Sequence, residues 1–288
     1  MPSSFPSSAR PIRSRASAVL VWTLTTAFTA AGTLLIQTGA LAQDRPAPLR
    51  ALGKQGFTIV GTFPSPGGLT AWAGYMGQQP VALYATPDGK HVIAGTLLDA
   101  DGKDVDHEVL EKVVSGPMTD GVWGQLENTR WLADGSDKAP RTVYVFTDPN
   151  CPYCNKFWSD ARPWVDAGKV QLRHVIVGIL TPTSPGKAAA LLAGKNPAAA
   201  LAAYERGQTA ATAKGLASGR PRPLGDEGMQ PLSSIPAAIQ AQLDANEKTM
   251  AKLGLRATPA VVWRDAKGAV QMRTGVPAQA LAEIMGPR

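Results

Sequence analysis

The two cysteines of the chain, Cys151 and Cys154, stand together in a Cys-Pro-Tyr-Cys sequence. Residues 143–147, which come before them, are β-branched or aromatic and predict a buried strand, and residues 148–150 are typical of a turn. Pro152 suits the first position of a helix, where its missing N–H is not needed. The pattern therefore places Cys151 at the N-terminal end of a helix, where unpaired backbone N–H groups favour a thiolate over a thiol.

Cys154 follows one helical turn later and is expected on the same helix face as Cys151. From there it can attack a mixed disulfide on Cys151 and release whatever Cys151 has bound. This chemistry needs no metal and no organic cofactor, and none is expected. The motif predicts a catalytic pair that cycles between two thiols and a redox-active Cys151–Cys154 disulfide.

Two other uses of the cysteines stay open at this point. An inert disulfide over so short a loop would stabilise the protein by only about 2 kcal/mol, against about 3 kcal/mol for a loop of roughly fifteen residues. A structural zinc site needs four ligands. The histidines are scattered and form no second ligand pair; they are His91, His107 and His174.

The composition indicates a globular protein of about two domains, with 288 residues of which 44% are hydrophobic. Its formal net charge of +7 includes three arginines near the start of the chain, Arg10, Arg13 and Arg15. The sequence contains no cluster in which basic and aromatic residues alternate. Nucleic acid is therefore not an expected partner.

A charge-free run over residues 16–42 follows these arginines and ends in Ala-Leu-Ala, a small-x-small cleavage pattern. It predicts a signal peptide over residues 1–42 that is cleaved after Ala42. An uncleaved membrane anchor is the alternative, because about 20 apolar residues span a bilayer. Export would place the cysteines in a compartment where disulfides persist, and we expect the periplasm.

Residues 43–115 predict a small α+β domain with an accessory or dimerising role, since it holds no apparent catalytic constellation. Its predicted elements are a short helix at 49–55 and strands at 57–63, 69–76, 81–86 and 91–98. Residues 109–132 show helical spacing with a break at 115–117, and residues 116–138 are predicted as a linker helix. Its last residues, 133–138, are a polar break before the second domain.

The second domain is predicted over residues 139–288. A further buried strand at 169–180 follows the cysteine helix, and strand, helix and strand imply a parallel pair with a right-handed crossover. An alanine-rich stretch at about 183–250 predicts a helical insertion. Thr258-Pro259 then opens a hairpin, and a last helix closes the domain.

This order of elements, with Cys-x-x-Cys at the first helix and Thr-Pro before the hairpin, resembles the thioredoxin fold. The resemblance is closer still to the periplasmic Dsb isomerases of the DsbG type and covers nearly the whole mature chain. It is carried by the segments VYVFTDPNCPYCNKFW, ARPWVDAGKVQLR, TPDGKH, RWLADG and ATPA. It implies a cystatin-like dimerisation domain, a linker helix and a thioredoxin-fold domain with a helical insertion.

The resemblance also implies roles for the residues around the cysteines. Pro259 would follow a cis peptide bond and face the pair, and the backbone of Thr258 would bind an extended substrate. Pro152 and Tyr153 would complete the docking surface. The chain departs from thioredoxins proper at Val145, where those proteins carry a buried aspartate, and from oxidase-type Dsb proteins in having no histidine between the cysteines.

The activity implied is that of a homodimeric reductase or isomerase, kept reduced by a membrane electron donor of the DsbD type. Its clients would be exported proteins with non-native disulfides or with single cysteines oxidised to sulfenic acid. Two alternatives stay open: a disulfide oxidase that uses the same pair in the opposite direction, and a holdase chaperone with an apolar cleft. In this family dimerisation shields the site from the oxidising partner, which argues against the oxidase.

Overall fold

The computed structural model describes residues 45–287. The predicted signal peptide and its cleavage site lie outside these residues. No helix within residues 45–287 combines the length and the apolar composition that a bilayer crossing requires.

The first sheet is antiparallel, with its four strands in sequence order. The elements of this region are helix α1 (Ala47–Lys54) and strands β1 (Thr58–Phe63), β2 (Thr70–Met76), β3 (Gln79–Ala85) and β4 (Val92–Ala94). Trp72 and Leu83 pack against Leu49 of α1 on one face, whereas Tyr75 and Tyr84 face the other way. This alternation follows the period of two of a strand, and the predicted helix and strands are all present.

Strand β4 is shorter than the strand predicted at 91–98. The chain leaves the sheet after Ala94 because residues 97–105 satisfy their own backbone groups. The N–H of Asp99 donates to the carbonyl of Lys103 at 2.9 Å, and the N–H of Val105 donates to that of Leu97 at 3.1 Å. These groups are therefore not available to extend the edge of the sheet.

Helix α2 (His107–Glu127) is continuous, so the break predicted at residues 115–117 is wrong. Pro117 lies inside the helix, where a proline costs about 3 kcal/mol. The helix persists because it is buried on both sides of that residue: Val114 packs on the first sheet and Val122 on the second. Each buried apolar side chain contributes about 1.5–3 kcal/mol, which offsets the cost. The linker helix predicted at 116–138 is thus the second half of a longer helix, which ends at Glu127.

The second sheet has the strand order β5-β7-β6-β8-β9. Its strands are β5 (Leu132–Asp134), β6 (Arg141–Thr147), β7 (Val170–Ile176), β8 (Ala260–Arg264) and β9 (Val270–Thr274). Strands β6 and β7 are parallel, as predicted, and the other pairs are antiparallel. Strand β5 was missed, because part of it lies in the stretch interpreted as a polar break.

Helices cover both faces of this sheet. They are α3 (Pro152–Val165), α4 (Ser184–Ala193), α5 (Pro197–Ala217), α6 (Ala237–Lys252) and, after a 3₁₀ turn, α7 (Leu281–Met285). Along β6, Val143 and Val145 pack against α3 and α7, whereas Tyr144 and Phe146 pack against α2 and α6. Helices α4 to α6 confirm the helical insertion, and the fold class is confirmed: an α+β part, a connecting helix and an α/β thioredoxin-like domain. The domain boundaries stay a prediction.

A partly buried ion pair joins β5 to helix α3. The carboxylate of Asp134 accepts hydrogen bonds from both terminal nitrogens of Arg162, with Nη1 at 3.0 Å, and lies 3.5 Å from Nε2 of His174. Burial raises the pKa of Asp134, but the hydrogen bonds and charges of His174 and Arg162 outweigh it and hold the pKa well below its ordinary value of 3.8. The ionised carboxylate therefore stabilises the fold.

We expect Asp134→Asn to lower the free energy of unfolding by about 2 kcal/mol at pH 7, because a hydrogen-bonded charge is lost. A depressed pKa contributes stability that is present above the unfolded value of 3.8 and is lost as the pH falls below it. The difference between wild type and variant should therefore shrink between pH 5 and pH 3, measured by urea unfolding. The exposed Asp137→Asn is the control, and a difference that does not change with pH would contradict the assignment.

Candidate active site

The turn between β6 and α3 is held by the buried carboxylate of Asp148. It accepts hydrogen bonds from the N–H groups of Asn150 at 2.8 Å, Ile179 at 2.7 Å and Leu180 at 2.9 Å. The Ser184 hydroxyl donates to it at 2.9 Å. Sequence reasoning saw Asp148 only as a turn former, whereas it ties the segment before Cys151 to the loop after β7 and to the start of α4.

Cys151 is the N-cap residue of α3, so its predicted position at the helix start is confirmed. Pro152 occupies the first helical position, and the sulfur of Cys151 accepts the N–H of Cys154 at 3.3 Å. A cap sulfur in this position receives the unpaired N–H groups of the first turn. Both cysteines are reduced and buried, with 2% of Cys151 and 3% of Cys154 exposed.

The two thiols have opposite proton affinities. The hydrogen bond from the Cys154 thiol, with help from Thr258 and from backbone N–H groups, lowers the pKa of Cys151 to about 7 although burial opposes the shift. Burial raises the pKa of Cys154 well above its ordinary value, and the hydrogen bond and charge of Cys151 raise it further. The first cysteine is therefore poised as a thiolate while the second keeps its proton.

The Thr258-Pro259 peptide bond is cis, as the resemblance to the thioredoxin fold implied. The Thr258 carbonyl lies 3.4 Å from the Cys151 sulfur, and the Thr258 hydroxyl is buried with no hydrogen-bond partner among residues 45–287. Its O–H is therefore free to turn toward the thiolate, which agrees with its effect on the pKa of Cys151. Pro152 and Pro259 are buried, whereas Tyr153 is 51% exposed and is the member of the motif that a partner can reach.

The helical insertion contacts the turn before Cys151 directly, which the sequence did not reveal. The Tyr204 hydroxyl donates to the carbonyl of Pro149 at 2.9 Å, and the Leu224 N–H donates to the carbonyl of Asn150 at 2.9 Å. Behind them the fully buried Lys187 donates to the Tyr204 hydroxyl at 3.0 Å and to two backbone carbonyls. The sequence feature that could have indicated these contacts is the single lysine in an otherwise apolar, alanine-rich helix.

A second buried polar pair lies where α5 packs on α3. The Asn155 side chain donates to Glu205 Oε2 at 2.6 Å and to the Glu205 carbonyl at 2.7 Å. Burial raises the pKa of Glu205 to about 7; the Asn155 hydrogen bond opposes the shift and the charge of Cys151 adds to it. Nothing in the sequence distinguished this glutamate from a solvated charge on a helix.

The histidines stand apart from the cysteine pair in their contacts. His174 is buried and its Nδ1 lies 2.9 Å from the Thr147 hydroxyl, whereas His91 is exposed and pairs with Asp88 at 3.9 Å. His107 is the first residue of α2. Within the described part of the chain, no group of three or more His, Cys, Asp or Glu side chains could hold a metal ion.

Comparison with known proteins places this geometry among relatives. A model of the thioredoxin-like domain matches residues 133–286. The thiol:disulfide interchange protein DsbG of Pseudomonas aeruginosa is 47% identical over 248 residues, which cover 86% of this chain and 91% of that protein. DsbG of Escherichia coli is 40% identical over 246 residues, covering 85% and 93%. The solved structure of Helicobacter pylori DsbG aligns with a TM-score of 0.36 and 17% identity over 74% of this chain and 97% of that one.

Proposed function

The chain belongs to the DsbG family of thiol:disulfide interchange proteins, enzymes of disulfide isomerisation and reduction, and we propose that Cys151 and Cys154 are the pair through which it acts. The observation that carries this proposal is the asymmetry of the two thiols. The sulfur at the helix start has a pKa of about 7, while its neighbour is held protonated. One sulfur is prepared for attack and the other for a later step.

In the first step the Cys151 thiolate attacks a client disulfide and forms a mixed disulfide, and the other client sulfur leaves as a thiolate. With a client cysteine that is a sulfenic acid, the same attack displaces hydroxide, which takes a proton to give water. Thr258 and Pro259 bind the client backbone beside the sulfur. Tyr153 and Pro152 form the adjoining docking surface, of which the Tyr153 ring is the exposed part.

In the second step Cys154 loses its proton and attacks the Cys151 sulfur of the mixed disulfide. The client leaves reduced, and the pair becomes the Cys151–Cys154 disulfide, so two electrons have passed from enzyme to client. If the client carries another thiol, that thiol attacks the mixed disulfide first and the client is isomerised. The buried position of Cys154 beneath Cys151 supports this order of events.

The proposed setting is the periplasm, where the clients are exported proteins that carry cysteines. A homodimer assembled through the region of residues 43–115 is the form that acts, and a membrane electron donor of the DsbD type returns the disulfide to two thiols.

The direction of electron flow separates this function from that of a disulfide oxidase. In cells that carry the donor, we expect thiol trapping followed by gel electrophoresis to find the pair mostly reduced, because the donor recharges it after each turnover. Deletion of the donor should shift it to the disulfide. Samples treated with dithiothreitol and with diamide calibrate the two bands, and a pair that is mostly oxidised in the presence of the donor would favour the oxidase.

A further inference from the structure

The pair of Glu205 and Asn155 is buried and takes no part in the steps described above. Glu205 is 1% exposed and Asn155 is fully buried, and they connect α5 to the helix that carries both cysteines. A carboxyl group in such a position can be ionised or protonated near neutral pH, because burial raises its pKa to about 7. It can therefore exchange a proton under the conditions in which the enzyme works.

The charge of Glu205 is linked to both cysteines. Asn155, its hydrogen-bond partner, directly follows Cys154 in the helix. The thiolate of Cys151 raises the pKa of Glu205, and ionised Glu205 adds to the effects of burial and of Cys151 in raising the pKa of Cys154. A proton bound by one of these groups therefore changes the affinity of the others.

The other charged groups that face Glu205 do not cancel this link. Arg162 of α3 lowers the pKa of Glu205 and Asp134 of β5 raises it, and these two are bound to each other. On its own helix Glu205 has Tyr204 as a neighbour. Burial, and then the charge of Glu205, raise the pKa of the Tyr204 phenol well above its ordinary value of 10, so Tyr204 stays neutral. The cysteines are thus the groups near Glu205 whose charge changes during turnover.

Within the proposed redox function, we propose that Glu205, held by Asn155, takes up the proton of Cys154 when Cys154 attacks the mixed disulfide. In the reduced enzyme the thiolate of Cys151 favours protonated Glu205. Once Cys151 is bound to a client it carries no charge, so Glu205 releases its proton to solvent and becomes a carboxylate. The Cys154 proton then passes to this carboxylate, the Cys154 thiolate displaces the client from Cys151, and the client thiolate takes a proton from solvent.

The test separates the two steps with a chromogenic aromatic disulfide mixed with the reduced protein. Attack by Cys151 releases one coloured thiolate, and attack by Cys154 releases a second. In Glu205→Gln we expect the second release to slow at least about tenfold at pH 7 and its pH dependence to move upward, since a proton acceptor is lost. The pH at which Cys151 becomes reactive should instead move downward, because a nearby negative charge is gone. The exposed Glu283→Gln is the matched control.

Opposite shifts of the two steps would not arise from a merely structural role. A second release in Glu205→Gln with the rate and pH profile of wild type would overturn the proposal while leaving the redox function intact. If wild type releases no coloured thiolate, both the proposed redox function and the proposed role of Glu205 are wrong. Should the variant not fold, the carboxyl carbon of Glu205 can be titrated by NMR in wild type. An inflection near neutral pH that falls after Cys151 is alkylated supports the proposal, and one near the ordinary 4.5 in the reduced protein overturns it.

Discussion

Cys151→Ser is expected to reduce disulfide reduction to the rate of the uncatalysed exchange. Serine keeps the position of the helix cap but provides no thiolate near neutral pH, and the remaining Cys154 is 3% exposed and held protonated. It therefore cannot substitute as the nucleophile. The measurement is turnover of a fluorogenic disulfide peptide with dithiothreitol as the recycling reductant, in which wild type reacts steadily.

The control for this variant is Cys154→Ser, which should keep the first step and lose the cycle. Mixed with the peptide in the absence of dithiothreitol, it should release one equivalent of client thiol and then stop, whereas Cys151→Ser should release none. Release of thiol by Cys151→Ser but not by Cys154→Ser would mean that the roles of the two cysteines are reversed. In wild type, the rate of alkylation by iodoacetamide should rise with pH through an inflection near the Cys151 pKa of about 7.

The local features of the site could be predicted because short stretches of sequence determine them. The β-branched run before the turn, the turn residues and Pro152 together fix a strand, a turn and a helix start, so the position of Cys151 needed no distant information. The same holds for the hairpin that Thr258-Pro259 opens. The expectation that these two segments meet came from the resemblance to the thioredoxin fold, since sequence patterns alone do not bring residue 258 to residue 151.

Features that depend on contacts between distant segments were missed or misjudged. Strand β5 is three residues long and partly polar. It is stabilised because Asp134 accepts hydrogen bonds from Arg162 and because the strand pairs with β7. Helix α2 continues through Pro117 because each half has a separate core to pack on. The periodicity of one segment carries no information on the distant segments that stabilise β5 and α2.

The buried charges of the insertion illustrate the same limit at the site itself. Lys187 and Glu205 lie in alanine-rich helices, where a charge usually marks the solvent face. Here each is satisfied by groups from other elements: Lys187 by Tyr204 and the loop before α6, and Glu205 by Asn155. The insertion is thus part of the candidate site, since the Tyr204 hydroxyl binds the turn that precedes Cys151.

Cys154→Ala is expected to accumulate covalent complexes between Cys151 and its clients. The first step remains possible, but without the second sulfur the mixed disulfide has no internal group to break it. The variant also removes the thiol that donates to Cys151, which is the main cause of the lowered Cys151 pKa, so the alkylation inflection should move above 7. The complexes are measured on non-reducing gels as adducts that disappear when dithiothreitol reduces the mixed disulfide. Mass spectrometry of each adduct identifies the client and thereby the number of its cysteines.

Cys154→Ser is the matched comparison, because its hydroxyl can still donate to the Cys151 sulfur but cannot resolve the mixed disulfide. Both variants should trap clients, while the serine variant should keep an alkylation inflection closer to that of wild type. We expect the alanine variant to trap clients well at pH 8 and weakly at pH 7, and the serine variant to trap them at both. That result would show that the hydrogen bond from residue 154 stabilises the Cys151 thiolate. If neither variant forms adducts while wild type turns over, Cys154 is not the resolving group, and release of the client must depend on a second client thiol.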